Sequence, residues 1–401
     1  MTERSLAPYE RGGLSVLPVD ADQAVLLGRI WDPTTGGPRP VVVRGHQLVD
    51  AFSLGETTNT ILELDDPATA LRDLRPQRTW DLEQMLGQAR PGPNDPRLLA
   101  PIDLQVIKAC GVTHRTSLIE RVIEQLARGD ASRVPVATED AQALTAVLET
   151  VVPGSAEATR VKEDLIARGI PPQYLEVGLG PHPEVFTKAP VLSAMGPGER
   201  IGVPSFSTWN NPEPELVLIC NSNGAVVGAT LGNDVNLRDI EGRSALLLGM
   251  AKDNNASCAV GPFIRLVDEN FTRTDLEHTE VELTVNNAAD GFTEQVSGRV
   301  GELSRSLDSL VEATYGAHHQ YPDGFALFTG ALAVLRSDRG ATGRGFTHVE
   351  GDIVTITSER IGTLSNVVGA AEHLPPWGFG ISALMNYLAS QRRHTQDCRK
   401  V

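Results

Sequence analysis

Two glutamates one residue apart open the most chemically loaded stretch of the chain, Trp209-Asn210-Asn211-Pro212-Glu213-Pro214-Glu215-Leu216-Val217-Leu218-Ile219-Cys220. The apolar run that follows them reads as a strand, and side chains two apart on a strand share a face, so Glu213 and Glu215 point the same way. Two like charges side by side on a half-buried strand are costly unless a cation sits between them; the plainer alternative is a solvated loop ahead of the strand. A second run, Gly232-Asn233-Asp234-Val235-Asn236-Leu237-Arg238-Asp239, follows a turn signal at Asn223-Gly224. A hairpin there would return Asp234 beside the two glutamates, while Arg238 and Asp239 read as a structural ion pair. Three oxygen donors with no histidine or cysteine nearby suit a hard cation, Mg2+ or Mn2+, with positions left open for substrate. The third piece is Lys252 in Met250-Ala251-Lys252-Asp253-Asn254-Asn255-Ala256-Ser257-Cys258. Beside a metal-bound carboxylate it could neutralise charge, or shuttle a proton if its pKa were depressed; otherwise it is a surface lysine.

Positioning such groups takes strands, and the chain supplies them. Leu216 to Cys220, Ala225 to Leu231, Val281 to Val285 and Ile353 to Ile356 are strand-like, as are Leu14 to Pro18 and Val41 to Val43 near the start. Between about 115 and 170 the pattern turns helical. Leu118, Ile119, Val122, Ile123 and Leu126 recur at spacings of three and four, Gly129 is placed to stop that helix, and further helical segments are expected at 141–151 and 156–167. Arg90-Pro91-Gly92-Pro93-Asn94-Asp95-Pro96 is a plausible boundary. The last dozen residues are polar and expected to fray. The fold class is therefore mixed α+β and strand-dominated, with a small β-containing unit over 1–100 and a larger one over 101–395.

Composition narrows the function. With 401 residues and 41% hydrophobic content the chain can bury a sizeable core. A net charge of −16 repels phosphate backbones, so nucleic acid is not an expected partner. No apolar run approaches a membrane span, and the N-terminus leads into no apolar signal core. Four scattered cysteines (Cys110, Cys220, Cys258, Cys398) form no zinc-binding pair and fit free thiols in a reducing, cytoplasmic setting. No phosphate-cradling glycine motif is present.

In order, Pro-Glu-Pro-Glu-Leu at 212–216, Gly-Asn-Asp-Val-Asn-Leu-Arg-Asp at 232–239, Lys252 and Gly261-Pro262-Phe263 resemble the fumarylacetoacetate hydrolase family, whose wording is E-x-E, N-D-x-x-x-R-D, then K and G-P. Asp323 to Gly330, Gly351-Asp352-Ile353-Val354 and Gly362-Thr363-Leu364-Ser365-Asn366 extend the likeness over roughly 105–370. Within the family, the phrases at 209–215 and 252–258 look most like the 2-keto-3-deoxy-pentonate dehydratase branch. The resemblance implies a C-terminal mixed β-roll or sandwich behind a smaller N-terminal domain. It implies Glu213, Glu215 and Asp234 as ligands of Mg2+ or Mn2+, and Lys252 as the catalytic lysine facing a 2-oxo acid. Thr329 and Gly330 match a turn that hydrogen-bonds substrate carboxylate, with Ala331 where the family often has threonine, and Ser117 and Asn233 join them as substrate contacts. Many family hydrolases carry a histidine and a glutamate that activate water. Here Ser117 takes the histidine slot, Glu120 keeps the glutamate as a catalytic candidate, and His114 takes a tyrosine slot. Without that imidazole, elimination is favoured over hydrolysis. The implied activity is dehydration of a 2-keto-3-deoxy sugar acid to 2-oxoglutarate semialdehyde by a cytoplasmic homo-oligomer, a dimer or tetramer. An acylpyruvate-type hydrolase, a 2-oxo acid decarboxylase and a non-catalytic sugar-acid-binding protein stand as alternatives.

Overall fold

The computed structural model describes residues 16–86, 95–128, 130–133, 151–339 and 345–398. Its centre is the strand Pro214–Cys220, buried along its whole length. It shows no in–out alternation because both of its faces are covered. Leu216, Leu218 and Cys220 enter one apolar cluster, with Leu231 and Leu327. Val217 and Ile219 enter another, with Ile264 and Phe328. The period of two that makes Glu213 and Glu215 share a face thus also sorts the apolar side chains between two cores.

This strand lies within an eleven-stranded sheet. In spatial order its path is Thr79–Asp81, Gln47–Asp50, Gly37–Arg44, Leu26–Asp32, Cys258–Leu266, Val226–Asp234, Pro214–Cys220, Phe325–Phe328, Val106–Gly111 and Glu184–Ala189, and Arg97–Leu99 pairs with Leu26–Asp32 off this path. Pairing is antiparallel except between Phe325–Phe328 and Val106–Gly111. A five-stranded sheet, ordered Phe292–Arg299, Glu280–Asn287, Ile353–Ser358, Gly362–Ala370 and Arg200–Val203, packs over one face through Leu283, Val285, Val354 and Ile356. Short helices Thr58–Leu62 and Pro67–Asp73 cover the other face with Ile61, Leu62, Ala68 and Leu71. Facing sheets that bury alternate residues between them form a sandwich, and among the described residues no barrel closes.

The helix Arg115–Ala127 stands where the apolar spacing places it, and it packs with Ala156–Ala167 and Pro172–Leu179 through Leu118, Val122, Leu165, Leu175 and Leu179. Most of the helix expected over 141–151 and of the boundary over 90–96, and the stop at Gly129, lie outside the described residues. Two local expectations differ from the structure. Of the strand expected over 14–18, residues 14 and 15 lie outside the described residues and 16–17 form a bend. The expected frayed end is instead helix Ile381–Cys398. Tyr387 explains the anchoring of that helix: its ring packs against Gly37, where any side chain would strike it, and its hydroxyl lies 3.2 Å from that of Thr35.

Candidate active site

The hairpin from Pro214–Cys220 into Val226–Asp234 does the positioning. Its register pairs Pro214 with Asn233 and Glu215 with Gly232, which sets Asp234 across from Glu213. The Asp234 N–H donates to the Glu213 carbonyl at 3.0 Å, and the Glu213 N–H donates to Asn233 Oδ1 at 3.1 Å. Oxygens of Glu213, Glu215 and Asp234 all fall within 4.8 Å of one another, and the three residues are 6%, 1% and 1% exposed. Lys252, also buried, brings Nζ to 2.6 Å from Glu213 and 2.9 Å from Asp234. The sequence alternatives of a solvated loop and a surface lysine are thereby excluded.

Charge inside this site is unequally answered. Burial raises the Glu213 carboxyl, but Lys252 and Arg121 outweigh it and hold the group at about 2. Glu215 goes the other way: burial, then Asp234 and Glu213, push it well above the ordinary carboxylate range, opposed mainly by the Gly330 N–H that donates to it at 2.6 Å. Lys252 is pulled down by burial yet held above its ordinary value by Asp234, Glu213 and Glu241. The depressed lysine that sequence reasoning allowed for is therefore not found, because two carboxylates clasp the ammonium. Among the described buried side chains, five carboxylates (Glu124, Glu213, Glu215, Asp234, Glu241) gather around four basic groups (Arg121, Lys188, Arg238, Lys252). Clustered oxygens with surplus negative charge fit a hard divalent cation, and Glu215, the least neutralised of the three, is the ligand that gains most from one.

A small cavity opens onto these groups. It is lined by Glu213, Glu215, Asp234 and Lys252 and, further, by Ser117, Arg121, Glu184 and Glu241. Arg121 and Ser117 come from the helix Arg115–Ala127, whose apolar stripe packs outward and leaves these two facing the sheet. Arg121 Nη1 reaches Glu124 at 2.7 Å and Glu241 at 2.6 Å, and Nη2 pairs with Glu213. Glu184 comes from the strand edge; its carboxylate lies against Gly111, where any side chain would collide with it. Burial, then the neighbouring Glu241, push Glu184 up to about 7, the range suited to moving protons near neutrality.

The other sequence-derived residues are placed differently. Ser117 lines the cavity, and its hydroxyl donates to the Ala331 carbonyl at 3.3 Å. Thr329 turns its hydroxyl to the Leu216 carbonyl, so the Thr329-Gly330 turn braces the hairpin and grips Glu215. Gly330 adopts φ +104°, a conformation glycine tolerates, and a Cβ there would run into Thr113. Asn233 has a buried Nδ2 with no hydrogen bond. Glu120 is not among the residues lining the cavity; it lies 3.7 Å from Arg238. Arg238 pairs with Glu120 and Glu124 rather than Asp239, which accepts from Ser207 and Thr208 instead. His114 lies 3.6 Å from Glu302. Sequence reasoning missed Arg121, Glu124, Glu184, Lys188 and Glu241. The one available signal was a charged pair three apart, Arg121 and Glu124, bordering an apolar helical stripe.

Comparison with known proteins agrees with this architecture. Residues 173–369 match the family model described as fumarylacetoacetate (FAA) hydrolase C-terminal. A probable 2-keto-3-deoxyxylonate dehydratase of Haloferax volcanii is 36% identical over 201 residues, covering 50% of this chain and 64% of that protein. The 2-dehydro-3-deoxy-D-arabinonate dehydratase of Saccharolobus solfataricus is 35% identical over 182 residues, covering 45% and 57%. The matched segment thus spans less than two thirds of either relative. A solved 2-keto-3-deoxy-D-arabinonate dehydratase complexed with magnesium and 2,5-dioxopentanoate superposes with a TM-score of 0.60 at 23% identity, over 86% of this chain and 99% of that one. At that identity the likeness is one of fold.

Proposed function

From a chain that carries a fumarylacetoacetate hydrolase family domain, we propose a magnesium-dependent dehydratase that converts a 2-keto-3-deoxy-pentonate into 2,5-dioxopentanoate. The observation that carries this reading is the buried Glu213–Glu215–Asp234 cluster with Lys252 in contact, opening on a cavity lined by further proton-bearing groups. Dehydratase relatives of that substrate class add support. In the proposed arrangement residues 101–395 form the catalytic unit, and Glu213, Glu215 and Asp234 would hold Mg2+ or Mn2+. When bound, such an ion supplies Lewis acidity to a 2-oxo acid and makes its C3 protons easier to remove.

The side chains then have a proton to take and a proton to give. Lys252 is proposed to face C3 and accept one of its protons, once the charge of Glu213 and Asp234 is otherwise engaged. Glu184, poised at about 7, is proposed to give a proton to the departing C4 hydroxyl, which leaves as water. One C3–H and one C4–O bond break and a C3–C4 double bond forms; transfer of a C5 proton to C3 gives the C4–C5 enol, whose hydroxyl proton then moves to C4 to yield the 2,5-dioxo acid. Among the described residues that line the cavity, none is a histidine that could activate water for hydrolysis. Asn233, Thr329 and Gly330 are proposed to shape the acid-binding end, Ser117 to contact the substrate further along the cavity, and Glu120 to act through Arg238. We further propose cytoplasmic action in pentose breakdown, as a dimer or tetramer. Among the described residues no helix is long and apolar enough to cross a membrane.

The test is direct. Metal-stripped protein is supplied with Mg2+ and either 4,5-dihydroxy-2-oxopentanoate or an acylpyruvate. Metal-dependent formation of a 5-aldehyde supports dehydration, whereas acid release from the acylpyruvate alone would replace it with hydrolysis.

A further inference from the structure

We propose that the Arg121–Glu241 pair recognises the C5 hydroxyl of the substrate and so sets a preference for a sugar acid over a plain 2-oxo acid. This rests on the dehydration reading above and assigns the end of the substrate that reading leaves unassigned.

The lining of the cavity divides into two chemical sets. Glu213, Glu215, Asp234 and Lys252 make up the first, which suits the C1 and C2 oxygens; Arg121, Glu184, Glu241 and Ser117 make up the second. Within the second set the groups are not equally available. Ser117 gives its hydroxyl to Ala331, and Glu184 is assigned to proton transfer. Arg121 is pinned by three carboxylates, Glu124, Glu213 and Glu241, which come from its own helix, the entry to Pro214–Cys220 and the short helix Arg238–Glu241. It therefore cannot swing aside, and it spans from a metal-ligand candidate to Glu241. Glu241 is thus a second carboxylate lining the cavity beside the head of the site, joined to Glu213 through the Arg121 guanidinium, and is the group assigned here to the substrate's tail.

Glu241 itself is 3% exposed, and Arg121 is the partner it has in the ion-pair network. A hydroxyl both donates and accepts, and a fixed carboxylate beside a fixed guanidinium complements both roles. A methyl group in the same place would keep water from that carboxylate while offering it no donor beyond Arg121. Sites built on hydrogen bonds to a substrate hydroxyl reject analogues lacking it for this reason.

The experiment compares turnover of 4,5-dihydroxy-2-oxopentanoate with that of 4-hydroxy-2-oxopentanoate, which keeps the leaving group and lacks only the C5 hydroxyl. Both are followed by proton NMR in wild-type protein and in Glu241→Gln, with pyruvate as a competitive probe of the head of the site. The wild type should favour the dihydroxy acid by about 30-fold or more in kcat/KM, and Glu241→Gln should reduce that to about threefold or less, with pyruvate inhibition unchanged. Equal use of the two acids by the wild type overturns the proposal without any variant. So does a variant that keeps the preference, or one that loses pyruvate inhibition along with it, since the role is then structural. Turnover of neither acid, with pyruvate still bound, overturns the dehydration reading and this proposal with it.

Discussion

Two buried carboxylate clusters, one on each sheet, differ in how completely their charge is answered. At the start of the central strand of the five-stranded sheet Asp352, fully buried, accepts from Arg339 at 2.6 and 2.7 Å, Asn287 at 2.9 Å, the Val349 N–H at 3.0 Å and His348 Nδ1 at 3.1 Å. Burial raises its pKa, but His348 and Arg339 outweigh that and hold it at about 2. On the larger sheet Glu215, equally buried, accepts from the Gly330 N–H and is pushed up by its acidic neighbours. A carboxylate with a full set of donors is a finished structural joint. One held among other carboxylates, with a cavity beside it, is poised for a cation.

The contrast can be broken most sharply at Glu215. Glu215→Gln should lower Mg2+-dependent turnover by about 10³-fold while the fold survives, because a neutral amide suits an apolar setting better than a crowded charge. Turnover within tenfold of wild type would remove Glu215 from the metal set. The mirror experiment is Arg339→Met, which strands Asp352 without its main counter-charge. It should cost about 3–5 kcal/mol in denaturant unfolding and leave divalent-ion affinity of the folded chain unchanged. A loss of ion affinity equal to that of the glutamate variant would show that the two clusters are not separate in function.

Glu184 sharpens the comparison further, since it is the cavity carboxylate set near neutrality. Glu184→Gln should lower kcat by about 10²-fold and erase a limb near pH 7 in the kcat profile; a profile identical to wild type would exclude it as the proton carrier. The two clusters should also respond oppositely to pH. Glu215, with its raised pKa, must release its proton to bind a cation, so ion affinity should climb with pH by up to about tenfold per unit until that proton is gone. Asp352, with its lowered pKa, binds a proton less readily folded than unfolded. Its stabilisation is therefore complete above the ordinary carboxylate value and drains as pH falls towards 2, readable as a drop in Tm between about pH 4 and 2. An ion affinity flat with pH, or a Tm indifferent to acid, would contradict the respective assignment.

What could be foreseen from the residues follows the same division. Glu213, Glu215 and Asp234 were legible because strand alternation and a two-strand hairpin are local rules, and the register of Pro214 on Asn233 honours them. Lys252 was legible as a lone base near those acids. The second set of cavity residues was not. Arg121 meets Glu213 across 92 positions of chain, and Glu184 reaches the site from a strand edge whose neighbours are set by sheet order. Neither relation leaves a periodic trace. Glu120 and Arg121 are adjacent on one helix, yet a helical step of about 100° sends one to Arg238 and the other into the cavity, and spacing alone does not choose between them. The helix Ile381–Cys398 was hidden for a related reason: its polar composition reads as a loose end, and only contact with Gly37 and Thr35 shows what holds it.

The three carboxylates of the hairpin are proposed to hold one divalent cation. Calorimetric titration of chelator-stripped protein with Mn2+ tests it without reference to turnover. One ion per chain is expected in the wild type and in Arg339→Met, and none retained at that site in Glu215→Gln. A wild type that takes up no ion, or a Glu215→Gln protein that binds it as tightly as the wild type, would mean that these carboxylates do not form a cation site.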